Sequence, residues 1–395
     1  MTDVIIAGIG QIPVGEHWEN SLRQLAHQAM QAAIEDSGCL RPQALYVGNM
    51  LGANLSHQAH LGTLLVDFGG LYFDDGEHKA GIEAGTIEAG GASGGAALRQ
   101  GYLAVASGFV DVALVVGVEK YTDVVGPELE AAVATTTDSD FEAVQGLTPT
   151  AQAALLMRRY MHEFDVPPDG FSGFPLTAHA NGAGNQYAMY RKPISPEAYR
   201  KAEPVSDPLN MYDIAPNADG AAALILTRPE LLPRDYSHPL VRIAASASVS
   251  DTLALHDRLN LLQFSAAKNS LEQALKRADI RLDQVDFFEY FDSFSIFAAL
   301  SLEAAGFAAP GEGWKLAADG SISLTGRIPC ACLGGLKARG NPGGATGVYQ
   351  AVEAAAQLRG QAGRNQVDGA HYGLIQSMGG PASTVVTHLL ERYQP

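Results

Sequence analysis

The run Gly90-Gly91-Ala92-Ser93-Gly94-Gly95-Ala96-Ala97-Leu98-Arg99 leads into Gly94 to Ser107, a proline-free stretch rich in Ala and Leu, and Val112-Ala113-Leu114-Val115-Val116-Gly117 follows it. Small residues lead into an uninterrupted helix, and the continuous apolar run after it reads as a strand buried on both faces. The order returns later in the chain. Gly340-Asn341-Pro342-Gly343-Gly344-Ala345-Thr346-Gly347 opens an Ala-rich helix that stops near Gly360 and mirrors Gly90 to Gly108, which predicts an internal duplication. Upstream of the first copy, Val4 to Gly10 reads as a strand and Leu22 to Ile34 has helical spacing. The pattern restarts at Leu240-Val241-Arg242-Ile243-Ala244, with a helical stretch over Ser265 to Ala278 and an apolar run from Val285 to Tyr290. The apolar run Ala221 to Thr227, then Pro229 and Leu232-Pro233, places a boundary near 230–238 and gives halves of 1–235 and 236–395. Between Tyr121 and Ser206 the composition turns polar, with acidic residues from Glu128 to Glu142 and a loop-like stretch from His179 to Pro193. This reads as a loop domain inserted at about 121–206.

The rest of the composition narrows the function. Over 395 residues, 47% are hydrophobic and 17% charged, the balance of a compact α/β protein. A net charge of −17 repels a phosphate backbone or an anionic membrane, so nucleic acid is not expected as a partner. The longest apolar runs fall well short of the ~20 residues that span a bilayer. Residues 1–20 lack a basic start with a long apolar core, and three cysteines make no disulfide framework, so the cytoplasm is expected. Cys330-Ala331-Cys332 looks like half of a metal site, but no second pair lies at a matching spacing, and no metal is expected.

Several motifs together point to one family. Ile87 to Arg99, Gly117-Val118-Glu119-Lys120, Gly335-Leu336-Lys337-Ala338-Arg339-Gly340 and Gly379-Gly380 resemble, in order, the signatures of the thiolase superfamily. The likeness is to the archaeal and sterol-carrier-protein-x branch. It extends to Gly146-Leu147-Thr148-Pro149-Thr150, Arg158-Arg159-Tyr160-Met161, Asn217-Ala218-Asp219-Gly220 and the loop ending Arg191-Lys192-Pro193-Ile194. The resemblance implies an α/β fold of five αβαβα layers, two pseudo-symmetric halves with an inserted loop domain, a homodimer, and an acyl-coenzyme A site at the ends of two facing helices.

Thiolase chemistry needs a thiolate, an imidazole to generate it, a group to remove an α-proton and donors for the oxyanions. At the position that the resemblance assigns to the nucleophile, where a helix N-terminus lowers a thiol pKa, this chain has Gly91. The histidine of the family's Gly-His-Pro motif is Asn341, that of His-Asp-Ala-Phe is Phe291, and the second cysteine is Ser377. Ordinary thiolysis is therefore not expected. What remains is a scaffold: Ser93, Gly94, Gly343 and Gly344 at the helix starts to hold a thioester, and His179 in the loop domain as a ligand contact. Asp292, by its motif position, is a candidate acid or base, as are Tyr290 and Tyr349, for which packing is the plainer role. Cys332 falls where the family has a substrate-facing loop and is a candidate relocated nucleophile, with a buried inert thiol as the alternative.

Three functions follow. The first is recognition of an acyl-coenzyme A thioester with altered carbon–carbon chemistry, such as retro-aldol cleavage, in company with a small OB-fold, zinc-ribbon subunit that the branch implies. The second is a non-catalytic acyl-coenzyme A binder or scaffold for an active thiolase or synthase. The third is acyl transfer through relocated groups, Cys332 or Ser93. In each, coenzyme A thioester is the ligand and no cofactor is tightly bound.

Overall fold

The computed structural model describes residues 2–74 and 79–394. Nine strands form one sheet: β1 (Ile5–Gln11), β2 (Ala44–Gly48), β3 (Glu83–Ile87), β4 (Val112–Glu119), β5 (Gly220–Thr227), β6 (Leu240–Ser250), β7 (Phe287–Glu289), β8 (Tyr372–Gly379) and β9 (Thr384–Tyr393). Their spatial order is β7-β8-β9-β6-β1-β5-β4-β2-β3. The helices that matter here are α1 (Leu22–Asp36), α2 (Leu61–Gly69), α3 (Ser93–Ala106), α4 (Pro149–Phe164), α5 (Gly173–Gly182), α6 (Ser265–Ala278), α7 (Ser295–Ala305) and α8 (Thr346–Arg359).

The duplication is written in the pairing. In the first half β2 runs parallel to β3 and β4, and β5 is antiparallel to both β4 and β1. In the second half β7 is parallel to β8 and bridges in parallel to Cys330, while β9 is antiparallel to both β8 and β6. So β6, β7, β8 and β9 repeat β1, β2, β4 and β5. The two half-sheets are stitched edge to edge, with Ile5 opposite Arg242 and the Ile243 N–H donating to the Val4 carbonyl at 3.0 Å.

Layering follows from which helix faces are apolar. α1 and α2 cover the outer face of the first half-sheet, and α6 and α7 lie on the outer side of the second half. α3 and α8 lie between them and touch strands of both halves, giving αβαβα. α8 is buried around almost its whole circumference: its Ala and Val positions pack in the core, and the polar stripe Gln350, Glu353 and Gln357 is met by internal partners, the Glu289 carbonyl, Arg339 and the Asn365 carbonyl. Glycines let the two central helices begin in contact: a Cβ on Gly94 would lie 2.8 Å from the Gly344 carbonyl oxygen, and one on Gly347 would collide with the Gly95 nitrogen. Between β4 and β5 runs an insertion that contains α4, α5 and the short helices Pro127–Ala134 and Pro196–Arg200. His179, expected on a loop, sits on α5. Among the described residues no helix is long and apolar enough to cross a membrane.

Candidate active site

The starts of α3 and α8 form the floor of a cavity of about 210 Å³, whose lining includes Gly91, Phe291, Asn341 and Gly343. The turn before α3 is held by Ser93, whose hydroxyl donates to the Gly90 carbonyl at 2.6 Å and accepts from the Ala89 N–H at 2.9 Å. That turn presents Gly91. A Cβ added there would lie 2.7 Å from Cζ of Phe291 and 2.6 Å from the Met378 carbonyl oxygen. The phenyl ring thus takes up the space a side chain on residue 91 would enter. Asn341 is fixed by its backbone, which donates to Pro216 O at 2.9 Å and accepts from Ala218 N at 3.2 Å. Its Oδ1 accepts from Thr346 Oγ1 at 3.3 Å, leaving Nδ2 to donate to a ligand.

Tyr121 closes the far side, its hydroxyl in the space a Cβ on Gly343 would need. Burial, reinforced by the neighbouring Glu119 carboxyl, holds the phenol well above its usual pKa, so it acts as a donor and not as a base. Glu119 joins the walls. Its carboxylate accepts from Met50 N at 2.8 Å, Leu51 N at 3.1 Å, Gly344 N at 3.1 Å and Asn49 Nδ2 at 2.8 Å. Burial nevertheless pushes its pKa up to about 7, against the pull of those donors. Among the described residues the cavity lining holds no cysteine and no histidine. Beside the Glu130 carboxyl it offers neutral donors, the Tyr121 hydroxyl and the Asn341 amide, among apolar side chains, an arrangement that can stabilise a developing oxyanion.

Outward, Val205, Ile214 and Ala215 are shared with a groove of about 1050 Å³ under the inserted segment. His179 lines it, stacked on Tyr190 at 5.8 Å and edge-on to Tyr212 at 5.9 Å, and burial lowers its pKa so that the ring stays neutral. Arg191 and Lys192 stand exposed on its rim. Lys337 lies deeper and donates to Asp213 O at 2.8 Å; burial drops its pKa to about 8 although Asp292 and Asp213 pull it upward. The groove has Arg191 and Lys192 outside and mostly apolar walls further in, with the Lys337 ammonium turned to the Asp213 carbonyl, which suits a polyanionic head at the rim.

Other candidates are not brought to the cavity. Cys332, expected on a substrate-facing loop, is fully buried in the core, its N–H donating to Glu289 Oε1 at 2.9 Å; burial and Glu289 push the thiol pKa well up, which removes the thiolate. Ser93 is buried and committed to its turn. Gly94 faces α8 and not a ligand, and the Gly344 N–H is taken by Glu119. Ser377 lies behind the wall that Met378 forms, donating to Gln350 Oε1 at 2.9 Å. Asp292 is buried and accepts from Leu336 N at 2.7 Å, so it anchors the Gly335–Arg339 turn. Tyr290 packs on Phe288 at 5.6 Å, and the Tyr349 hydroxyl donates to Ile12 O at 2.9 Å. Sequence reasoning missed the roles of Glu119, Tyr121 and Lys337, although Gly117-Val118-Glu119-Lys120 and Gly335 to Gly340 had marked two of them. It also missed Gln152, two residues beyond the quoted Thr148-Pro149-Thr150.

Comparison with known proteins agrees with this architecture. Residues 4–230 match the family model described as thiolase, N-terminal domain, and residues 247–392 the one described as thiolase C-terminal domain-like. The chain is 39% identical over 394 residues to an acetyl-CoA acetyltransferase of Methanothermobacter thermautotrophicus, covering 99% of this chain and 100% of that protein. It is 28% identical over 371 residues to the benzoylsuccinyl-CoA thiolase subunit BbsB of Thauera aromatica, covering 92% and 91%. Among solved structures, an Ltp2-ChsH2(DUF35) aldolase superposes with a TM-score of 0.83 at 24% identity, covering 100% of this chain and 98% of that one. The acetyl-CoA acetyltransferase from Syntrophomonas wolfei gives 0.71 at 16%, covering 100% of both chains, and these two likenesses speak to the fold. On the matched domains and the full-length relative, the chain belongs to the thiolase family.

Proposed function

We propose that this chain binds an acyl-coenzyme A thioester across the two chambers and does not carry out ordinary thiolysis or Claisen acyl transfer. The phosphates lie by Arg191 and Lys192 at the rim, pantetheine runs past His179, and the acyl end enters the inner cavity beside Gly91. The observation that carries this reading is the contact of Phe291 with the space above Gly91, where a cysteine side chain would have to stand. Among the described residues the lining has no thiol and no imidazole, so an acyl-enzyme has no thiolate on which to form and its hydroxyls have no histidine to activate them. The donors that remain, the Tyr121 hydroxyl and the Asn341 amide, suit an enolate oxygen. Retro-aldol cleavage is the chemistry we assign: the β-hydroxyl proton passes to water, the Cα–Cβ bond breaks with its electron pair going to Cα, a carbonyl compound departs, and the enolate of the shortened thioester takes a proton back from water, so that no proton is gained or lost overall. In an assay with acetoacetyl-CoA and free coenzyme A the purified chain will not turn over, while isothermal titration with acetyl-CoA will give saturable heat. Brisk thiolysis overturns the reading, as does the absence of binding.

A second reading, a chain that works in an assembly, is favoured by two names among its relatives: one is a thiolase subunit and one aldolase is paired with a DUF35 protein. On it the chain is a homodimer that recruits a small zinc-ribbon subunit. Purification from the native host, followed by zinc analysis of any small co-eluting chain, tests this; elution of the chain by itself argues for the first reading alone.

A further inference from the structure

Gln152 belongs to the first turn of α4, where Thr148 Oγ1 accepts from Ala151 N at 3.2 Å and the Thr148 carbonyl accepts from the Gln152 N–H at 2.9 Å. The backbone is satisfied there; the side chain is not. Gln152 is 1% exposed, and neither Oε1 nor Nε2 has a hydrogen-bond partner among the described residues. It lines the same cavity as Gly91, Phe291 and Asn341, whose walls include Phe294, Phe297 and Met378. A buried amide without partners weakens a fold, and an apolar side chain of similar volume would relieve it. A site that only had to hold hydrocarbon has no use for this group.

An amide offers an acceptor at Oε1 and donors at Nε2, and a hydroxyl answers both, donating to the one and accepting from the other. A carbonyl or ether would satisfy Nε2 alone. A carboxylate would also leave Oε1 unmet, and the lining supplies no Lys or Arg to offset its charge while it does contain Glu130. We infer that Gln152 is a specificity residue that selects thioesters bearing a hydroxyl on the acyl chain over their plain hydrocarbon counterparts. The inference rests on the reading of this cavity as the acyl end of a thioester site, and it supplies the hydroxyl that retro-aldol cleavage requires.

The test is isothermal titration of the full chain, wild type and Gln152→Leu, with butyryl-CoA, 3-hydroxybutyryl-CoA and 4-hydroxybutyryl-CoA. One hydroxylated thioester should bind the wild type about 10-fold or more tightly than butyryl-CoA, equivalent to about 1.4 kcal/mol. Gln152→Leu should lose that preference, bind butyryl-CoA at least as well, and melt at a higher temperature because the orphaned amide has gone. Gln152→Met repeats the test should the leucine variant fold poorly. Equal affinity of the wild type for all three, as when water fills the amide's needs, overturns the inference and leaves the thioester site standing, as does a preference that survives both substitutions. Failure of all three to bind removes the site and the inference together.

Discussion

Phe291 and Gly91 are best understood as a pair. The backbone at Gly91 is not in the left-handed conformation, so what excludes a side chain there is the ring and the Met378 carbonyl, not φ. Gly91→Cys should therefore destabilise the chain by about 1–3 kcal/mol through overpacking. Phe291→Ala is itself costly, by about 3–5 kcal/mol, but in that background Gly91→Cys should cost less than in the wild type, since the Met378 carbonyl contact is the one that remains. Chemical denaturation of the single and double variants checks this; strictly additive effects would show that the two positions do not share one space. At this scale the sequence was legible where a motif named a position, as at Gly91, Phe291 and Asn341, which the structure gathers in one cavity. It was not legible where neighbours in the chain diverge: Phe291 and Ser293 line the cavity while Asp292 is buried against Leu336 N. Nothing in a linear motif says which of three consecutive residues turns inward.

At the scale of elements, Glu119 ties the end of β4 to the 49–51 loop and to the entry of α8. Its pKa of about 7 means the folded chain keeps a proton that the unfolded chain, at the ordinary carboxylate value of 4.5, has already released. The stability this contributes is complete below about pH 4.5 and is lost as pH rises through about 7. The wild type should thus lose stability relative to Glu119→Gln over that window, by up to about 3 kcal/mol, in urea titrations at stepped pH. A difference that does not vary with pH would contradict the burial argument. The long elements were readable from composition, α3 within a residue and α6 over Ser265 to Ala278. The edge strand β3, Glu-Ala-Gly-Thr-Ile, pairs with one neighbour only and carries neither an apolar run nor alternation, so no periodicity announced it. α5 hid in a polar stretch because its turns of Gly, Pro, His and Asn are packed by tertiary contacts and not by propensity.

For the whole molecule, the repeat of glycine-rich helix entries disclosed the duplication, but the seam between the halves lies between residues more than two hundred apart, Ile5 and Arg242, beyond any local pattern. Buried charges cross the interior. Arg359, at the end of α8, donates to Asp36 Oδ2 at 2.7 Å and to the Ile6 and Ala7 carbonyls at 3.1 Å, and Arg339 donates to Glu353 Oε2 at 2.7 Å with both side chains fully buried. Removing one member leaves the other unpaired, so Glu353→Ala should cost about 3–5 kcal/mol in denaturant unfolding; a loss below ~1 kcal/mol would show that Arg339 finds other partners. Because these ties and the shared central helices join the halves, calorimetry should record one transition and not two.

The central claim is that the two connected chambers hold an intact thioester with no thiolate, and no imidazole-activated hydroxyl, to accept its acyl group. A crystal structure of the chain soaked with acetyl-CoA tests it most directly. The account predicts unbroken thioester density, coenzyme A in the outer groove and the acetyl group beside Gly91, Phe291 and Asn341. Density joining the acetyl group to any side chain, or coenzyme A bound away from this cavity, would contradict it.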